Sequence, residues 1–93
     1  MPDMSRKTLP LYALSVFEVA ARHQSFTHAA NELFITQGAV SKQIAALERT
    51  LGARLLNRTT RSLALTEEGE RYFEQARRLV AEIAEAESSL RNG

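Results

Sequence analysis

The chain contains no cysteine, which excludes disulfides and thiolate metal sites and is compatible with a reducing compartment. It has two prolines, Pro2 and Pro10, both ahead of the main periodic region, and nothing resembles a low-complexity linker. No apolar run approaches the roughly 20 residues that span a bilayer. Met1 to Leu9 is polar, with no apolar stretch behind Arg6 and Lys7, so no secretory signal is expected and a cytoplasmic location follows. His23 and His28 lie five apart, off a shared helix face, and no carboxylate cluster completes a ligand set with them, so no metal is expected. No nucleophile–base pair and no Gly-rich phosphate loop is visible. Neither an enzyme nor a cofactor is expected.

What is present describes one small globular unit with an attached helix. Of 93 residues, 44% are hydrophobic and 25% charged, a folded rather than a disordered profile. The net charge of +1 conceals an asymmetry: residues 1–66 carry +4 and residues 67–93 carry −3. A basic head on an acidic tail points to a polyanion at the head and a different partner at the tail, although solvated charged faces are the commoner cause of such bias.

Helical spacing begins at Pro10, a residue tolerated in a first turn, and continues through Leu11, Leu14, Phe17 and Ala21, with Val16 and Ala20 beside them. This helix should end near His23. Ser25 is placed to cap a shorter helix carrying Phe26, Ala29, Ala30 and Leu33. Phe34-Ile35 forms an apolar elbow, and Thr36 offers a hydroxyl to the free N–H groups of a third helix. Val40, Ile44, Leu47 and Leu51 make the apolar stripe of that helix, and Gly52 suits a positive φ at its end. Two helices joined by a short elbow within a three-helix cluster form the pattern of a helix-turn-helix.

The period then changes. Leu55 and Leu56, and later Leu63 and Leu65 alternating with polar or small residues, read as two strands around a hairpin tip, Asn57-Arg58-Thr59-Thr60-Arg61. That is a two-stranded wing. Thr66 caps a last helix with Glu67 and Glu68 in its first turn, where the helix dipole favours anions. Gly69 reads as a weak point in it. Beyond, Tyr72, Ala76, Leu79, Ile83, Ala86 and Leu90 follow a heptad seam. A helix of about 25 residues is about 37 Å long at ~1.5 Å per residue, too long for so small a domain to cover. Its distal half calls for a partner, most simply the same helix of a second chain. The expected organisation is a leader over 1–8, a winged helix-turn-helix over 9–65 and a linker or dimerisation helix over 66–93.

In projection, Gln37, Gly38, Ser41 and Lys42 emerge together at the start of the third helix, away from its apolar stripe. A helix fits a major groove about 12 Å wide. Gln pairs bidentately with adenine, Lys donates to guanine, and Ser serves either base edge. Helix N-termini also favour phosphate. A glycine at position 38 costs up to about 1 kcal/mol in a helix but lets the backbone approach closely. Glu48 falls near the same face three turns in, where phosphate would repel it, so only the first two turns are expected to approach nucleic acid. Arg58 and Arg61 at the wing tip, with Thr60 between them, are placed for a minor groove or flanking phosphates. Thr27 and Thr36 stand at helix starts where phosphates or simple capping both suit them.

Residues 25–70, SFTHAANELFITQGAVSKQIAALERTLGARLLNRTTRSLALTEEGE, resemble the DNA-binding domain of LysR-type transcriptional regulators. The markers are Ser25-Phe26-Thr27 with Ala29-Ala30, Thr36-Gln37 with Ala39-Val40-Ser41, Ala46-Leu47-Glu48, Leu51-Gly52, Leu55-Leu56-Asn57-Arg58 and Leu65-Thr66-Glu67-Glu68-Gly69. Leu9 to His23 fits the family's first helix. The resemblance implies a mainly α winged helix-turn-helix, dimers through antiparallel linker helices, and double-stranded DNA as partner at an interrupted palindrome in a bacterial nucleoid. It also implies Gln37, Ser41 and Lys42 in the major groove and Arg61 in the minor groove. Gly38 stands where the family often has proline, and Lys42 where it often has arginine, which exchanges a bidentate fork for a point charge. The chain stops at Arg91-Asn92-Gly93, so a longer regulator is expected, with a small-molecule effector on a further domain and tetramers in the full-length protein. A protein-interaction module using the last helix as its arm is the other class these features allow. A protein interface, however, favours large apolar anchors over the lean polar face at Gln37 to Lys42.

Overall fold

A computed structural model describes residues 10–58 and 63–92. The order is α1 (Leu11–His23), α2 (Phe26–Leu33), α3 (Gln37–Leu51), β1 (Leu56–Arg58), β2 (Leu63–Leu65) and α4 (Glu67–Asn92). The winged helix-turn-helix with a long terminal helix is therefore the observed architecture.

Local chemistry sets most of the boundaries. Ser25 accepts a hydrogen bond from the His28 amide at 3.1 Å, and Thr36 accepts one from the Ala39 amide at 3.0 Å, each satisfying a first-turn N–H that the helix leaves free. Gly52 ends α3 at φ 65 and donates its N–H to the Glu48 carbonyl, the left-handed stop that costs glycine nothing. Gln24 and Phe34 close α1 and α2 in the same left-handed region at φ 53 and φ 58, where a side chain adds a steric penalty.

The core lies where α1 crosses the other helices. Val16, Phe17, Ala20, Ala29, Val40 and Leu47 are completely or almost completely buried. Fully burying a Leu or Phe is worth roughly 1.5–3 kcal/mol, so Phe17 and Leu47 are principal anchors. Ala20, Ala29 and Ala30 are buried in the same core, and their small side chains suit a close approach of α1 and α2. The stripe of α3 is buried at Val40, Ile44 and Leu47, but Leu51 is 37% exposed, since the helix runs past its neighbours. Leu11, expected inside α1's stripe, is likewise exposed, as α1 begins beyond the edge of the core.

β1 and β2 pair antiparallel in the register Leu56↔Leu65, Asn57↔Ala64, Arg58↔Leu63. Leu55 is buried just before the strand. Asn57 and Arg58 belong to the ladder and not to the hairpin tip expected from sequence: the pairing runs two residues further than the leucine alternation indicates. Thr66 joins the wing to α4. Its hydroxyl donates to the Arg54 carbonyl and accepts the Gly69 amide, while its own N–H donates to the Leu55 carbonyl at 3.0 Å. Gly69 is no weak point. A Cβ there would sit 2.0 Å from the Leu55 oxygen, so glycine alone lets α4 lie against the wing's entry.

Tyr72 and Ala76 correct the expected seam in part. Ala76 is fully buried, and Tyr72 packs on Phe17 at 5.6 Å between ring centroids. Burial pushes the Tyr72 phenol up from its ordinary pKa. The first turns of α4 lie across α1 and spend these residues inside the chain's own core. From Ala81 to Asn92 every residue is exposed, including Ile83, Ala86 and Leu90.

Candidate nucleic-acid interface

The first turns of α3 form the exposed end of a helix whose opposite face is held by Val40, Ile44 and Leu47. Gln37, Gly38 and Lys42 are exposed and Ser41 is half-buried. Among the described residues, neither the Gln37 nor the Lys42 side chain has a hydrogen-bond partner. Thr36 is occupied as the cap. Gly38 is not required by the fold, because a Cβ there would meet only the Thr36 hydroxyl at 3.9 Å. The protein's own side leaves room for a methyl. Among the described residues, nothing in the chain requires glycine at this position. Thr27 is exposed on the first turn of α2.

Arg58 stands elsewhere than sequence placed it. Its guanidinium lies 4.3 Å from the centroid of the Phe26 ring, and its Nη2 donates a hydrogen bond to Ser41 Oγ. Arg58 pairs with Leu63 in the ladder, and its side chain folds back onto Phe26 of α2 and Ser41 of α3 instead of reaching out from a tip. Thr60 and Arg61 lie outside the described residues.

Other polar groups in this region serve the scaffold. Glu48 does not face the exposed turn's chemistry: its Oε2 accepts the amides of Leu55 and Leu56 at 2.8 and 3.2 Å, which ties α3 to the wing. A carboxylate with two backbone donors is a strong pairing. At the α1–α2 junction, Arg22 binds Glu18 at 2.9 Å and Glu32 at 2.8 Å, and His23 Nε2 is 2.7 Å from Glu32. The Arg22 guanidinium, followed by His23, draws Glu32 down to about 2. This network was not foreseen, although an exposed Glu on α2 opposite an Arg-His pair closing α1 is the signal that would have revealed it. Among the described residues no group of three or more potential ligands is disposed to hold a metal ion, and no helix is long and apolar enough to cross a membrane.

The same arrangement recurs in known proteins. The family model described as bacterial regulatory helix-turn-helix protein, lysR family, matches residues 11–70. The chain belongs to this family. Among lysR-family relatives, the glycine cleavage system transcriptional activator of Escherichia coli K12 is 53% identical over 87 residues, covering 94% of this chain and 28% of that protein. The HTH-type transcriptional activator AmpR of Pseudomonas aeruginosa is 57% identical over 67 residues, covering 72% of this chain and 23% of its own length. The chain thus spans under a third of the regulators it matches. In structure it is similar to the DNA-binding domain in the BenM complex with catB site 1 DNA. The TM-score there is 0.81 with 35% identity over 88% of this chain and 91% of that one. Oxidized OxyR of Corynebacterium glutamicum gives 0.82 with 32% identity, over 96% of this chain and 27% of its own. These relatives are transcriptional regulators, not enzymes.

Proposed function

We propose that this chain is the operator-binding part of a dimeric bacterial LysR-type regulator acting on double-stranded DNA in the nucleoid. The observation that carries the reading is the exposed polar start of α3, presented on a helix anchored from behind. Gln37, Ser41 and Lys42 address base edges or backbone in the major groove, Gly38 permits close approach, and Thr27 and Thr36 lie at helix starts suited to phosphate. Arg61 and Thr60 of the wing address the minor groove or its flank. That the similar BenM domain was determined in complex with DNA supports the DNA-binding reading.

Dimerisation is assigned to the exposed part of α4. Leu79, Ile83, Ala86 and Leu90 are exposed, and Leu11, Leu14, Ser15, Leu79, Val80 and Ile83 line a groove of about 250 Å³ between α1 and α4. A second copy's α4 fills such a groove and sets two α3 helices on the half-sites of an interrupted palindrome. Tetramers and a small-molecule effector belong to the whole regulator.

Selection from random duplex DNA, followed by salt titration, tests the proposal. A dyad-symmetric site with affinity falling steeply as salt rises is expected. No enriched dyad, together with salt-indifferent binding, refutes it. Gln37→Ala should relax preference at one base position per half-site by about 1–3 kcal/mol. Equal losses on all sequences make Gln37 a backbone contact instead.

A further inference from the structure

Ser41 Oγ carries one proton and two lone pairs. One lone pair already accepts from Arg58 Nη2. The guanidinium is held in turn over the Phe26 ring at 4.3 Å, a cation–π contact that limits where it can move. A cationic donor on the oxygen drives the hydroxyl proton to the opposite side and polarises that O–H bond. Ser41 lies on the α3 side that also carries Gln37 and Lys42, so the positions left to the proton include the surface assigned to DNA.

We infer that Arg58 is a positioning residue, clamped on Phe26, which biases Ser41 from an either-way contact toward a hydrogen-bond donor. The inference rests on the DNA-binding reading above and narrows what Ser41 recognises. An unconstrained serine serves any base edge; a serine held this way takes an acceptor and disfavours the cytosine amino group. That acceptor is either a base-edge atom (purine N7, guanine O6 or thymine O4) or a phosphate oxygen, both of which offer a lone pair.

The test uses the 93-residue chain and the duplex it enriches from random DNA, with Ser41→Ala, Arg58→Gln and the double variant. The duplex is scanned by base substitution and 7-deazapurines in one series, and by methylphosphonates in the other. At one position the wild type should lose affinity about tenfold, the scale of one polarised hydrogen bond. That loss should disappear in Ser41→Ala and in Arg58→Gln alike, and the double variant should bind no more weakly than the weaker single one. The series in which the position appears identifies the acceptor as base or phosphate. Arg58→Gln gives up the contact with Phe26, so it should melt only a few degrees below the wild type, and it should keep the wild-type salt slope. Three results overturn the inference while leaving the DNA reading intact: retained sensitivity in Arg58→Gln, multiplied losses in the double variant, or a salt slope reduced by about one in Arg58→Gln, the mark of a direct phosphate ligand. A wild-type chain that enriches no duplex overturns both.

Discussion

Gly38 and Gly69 allow one chemical change to be tested in two environments. Each lies in the first turn of a helix, α3 or α4, and each becomes alanine by gaining one methyl. At Gly38 that methyl meets nothing nearer than 3.9 Å, so only the backbone effect remains and stability should rise by up to about 1 kcal/mol. At Gly69 the new Cβ would lie 2.0 Å from the Leu55 oxygen and 2.9 Å from its carbonyl carbon. Those are backbone atoms, and the same oxygen accepts the Thr66 amide at 3.0 Å. Relief must therefore move the wing's entry. Overpacking costs about 1–3 kcal/mol and the weakened hydrogen bond about 1 kcal/mol, against a propensity gain of up to about 1 kcal/mol. Gly69→Ala should destabilise by about 1–3 kcal/mol. At roughly 4–8 °C per kcal/mol for a domain of this size, its Tm should fall by about 5–20 °C, while that of Gly38→Ala holds or rises. Thermal melts followed by circular dichroism read both at once. A Gly69→Ala protein that melts at or above the wild type refutes the close approach of α4 to Leu55.

Phe34 holds φ 58 with its side chain 94% exposed, so Phe34→Asn should raise stability by about 1 kcal/mol in denaturant titrations by relieving the left-handed backbone; an unchanged midpoint shows the turn is not strained. Gly38→Leu should fold normally yet lose affinity for the selected duplex, and undiminished binding removes the close approach of this turn to DNA. Leu79→Asp should abolish the dimer in sedimentation, and an intact dimer places the interface elsewhere. Glu32 is held at about 2 in the fold against an ordinary 4.5, so its contribution is present above pH ~4.5 and is lost as pH falls toward 2. The pair is largely solvent-exposed, which keeps that contribution below about 1 kcal/mol. Glu32→Gln should flatten the stability curve across this window, and an identical acid profile denies the Arg22–Glu32–His23 network any such role.

The features that sequence determined by itself are those written within a few residues of each other. Ser25, Thr36 and Thr66 bond amides three positions ahead, Gly52 stops α3 in place, and the apolar periods of the helices select their buried faces. The grouping of Gln37, Gly38, Ser41 and Lys42 outside the stripe of Val40, Ile44 and Leu47 is of the same kind, because helical geometry alone sets it. Tertiary structure decided whatever depends on how those elements meet. Arg58 reaches Ser41 across 17 positions and Phe26 across a greater span, so strand register, not local pattern, chose its place. Glu48 binds amides seven and eight residues on, which turns an apparent obstacle to phosphate into a brace for the wing. Tyr72 and Ala76 share one heptad rhythm with Leu79 and Ile83, yet Phe17 and the crossing of α1 take the first two inward. Periodicity states that a face is apolar; only packing states which neighbour covers it.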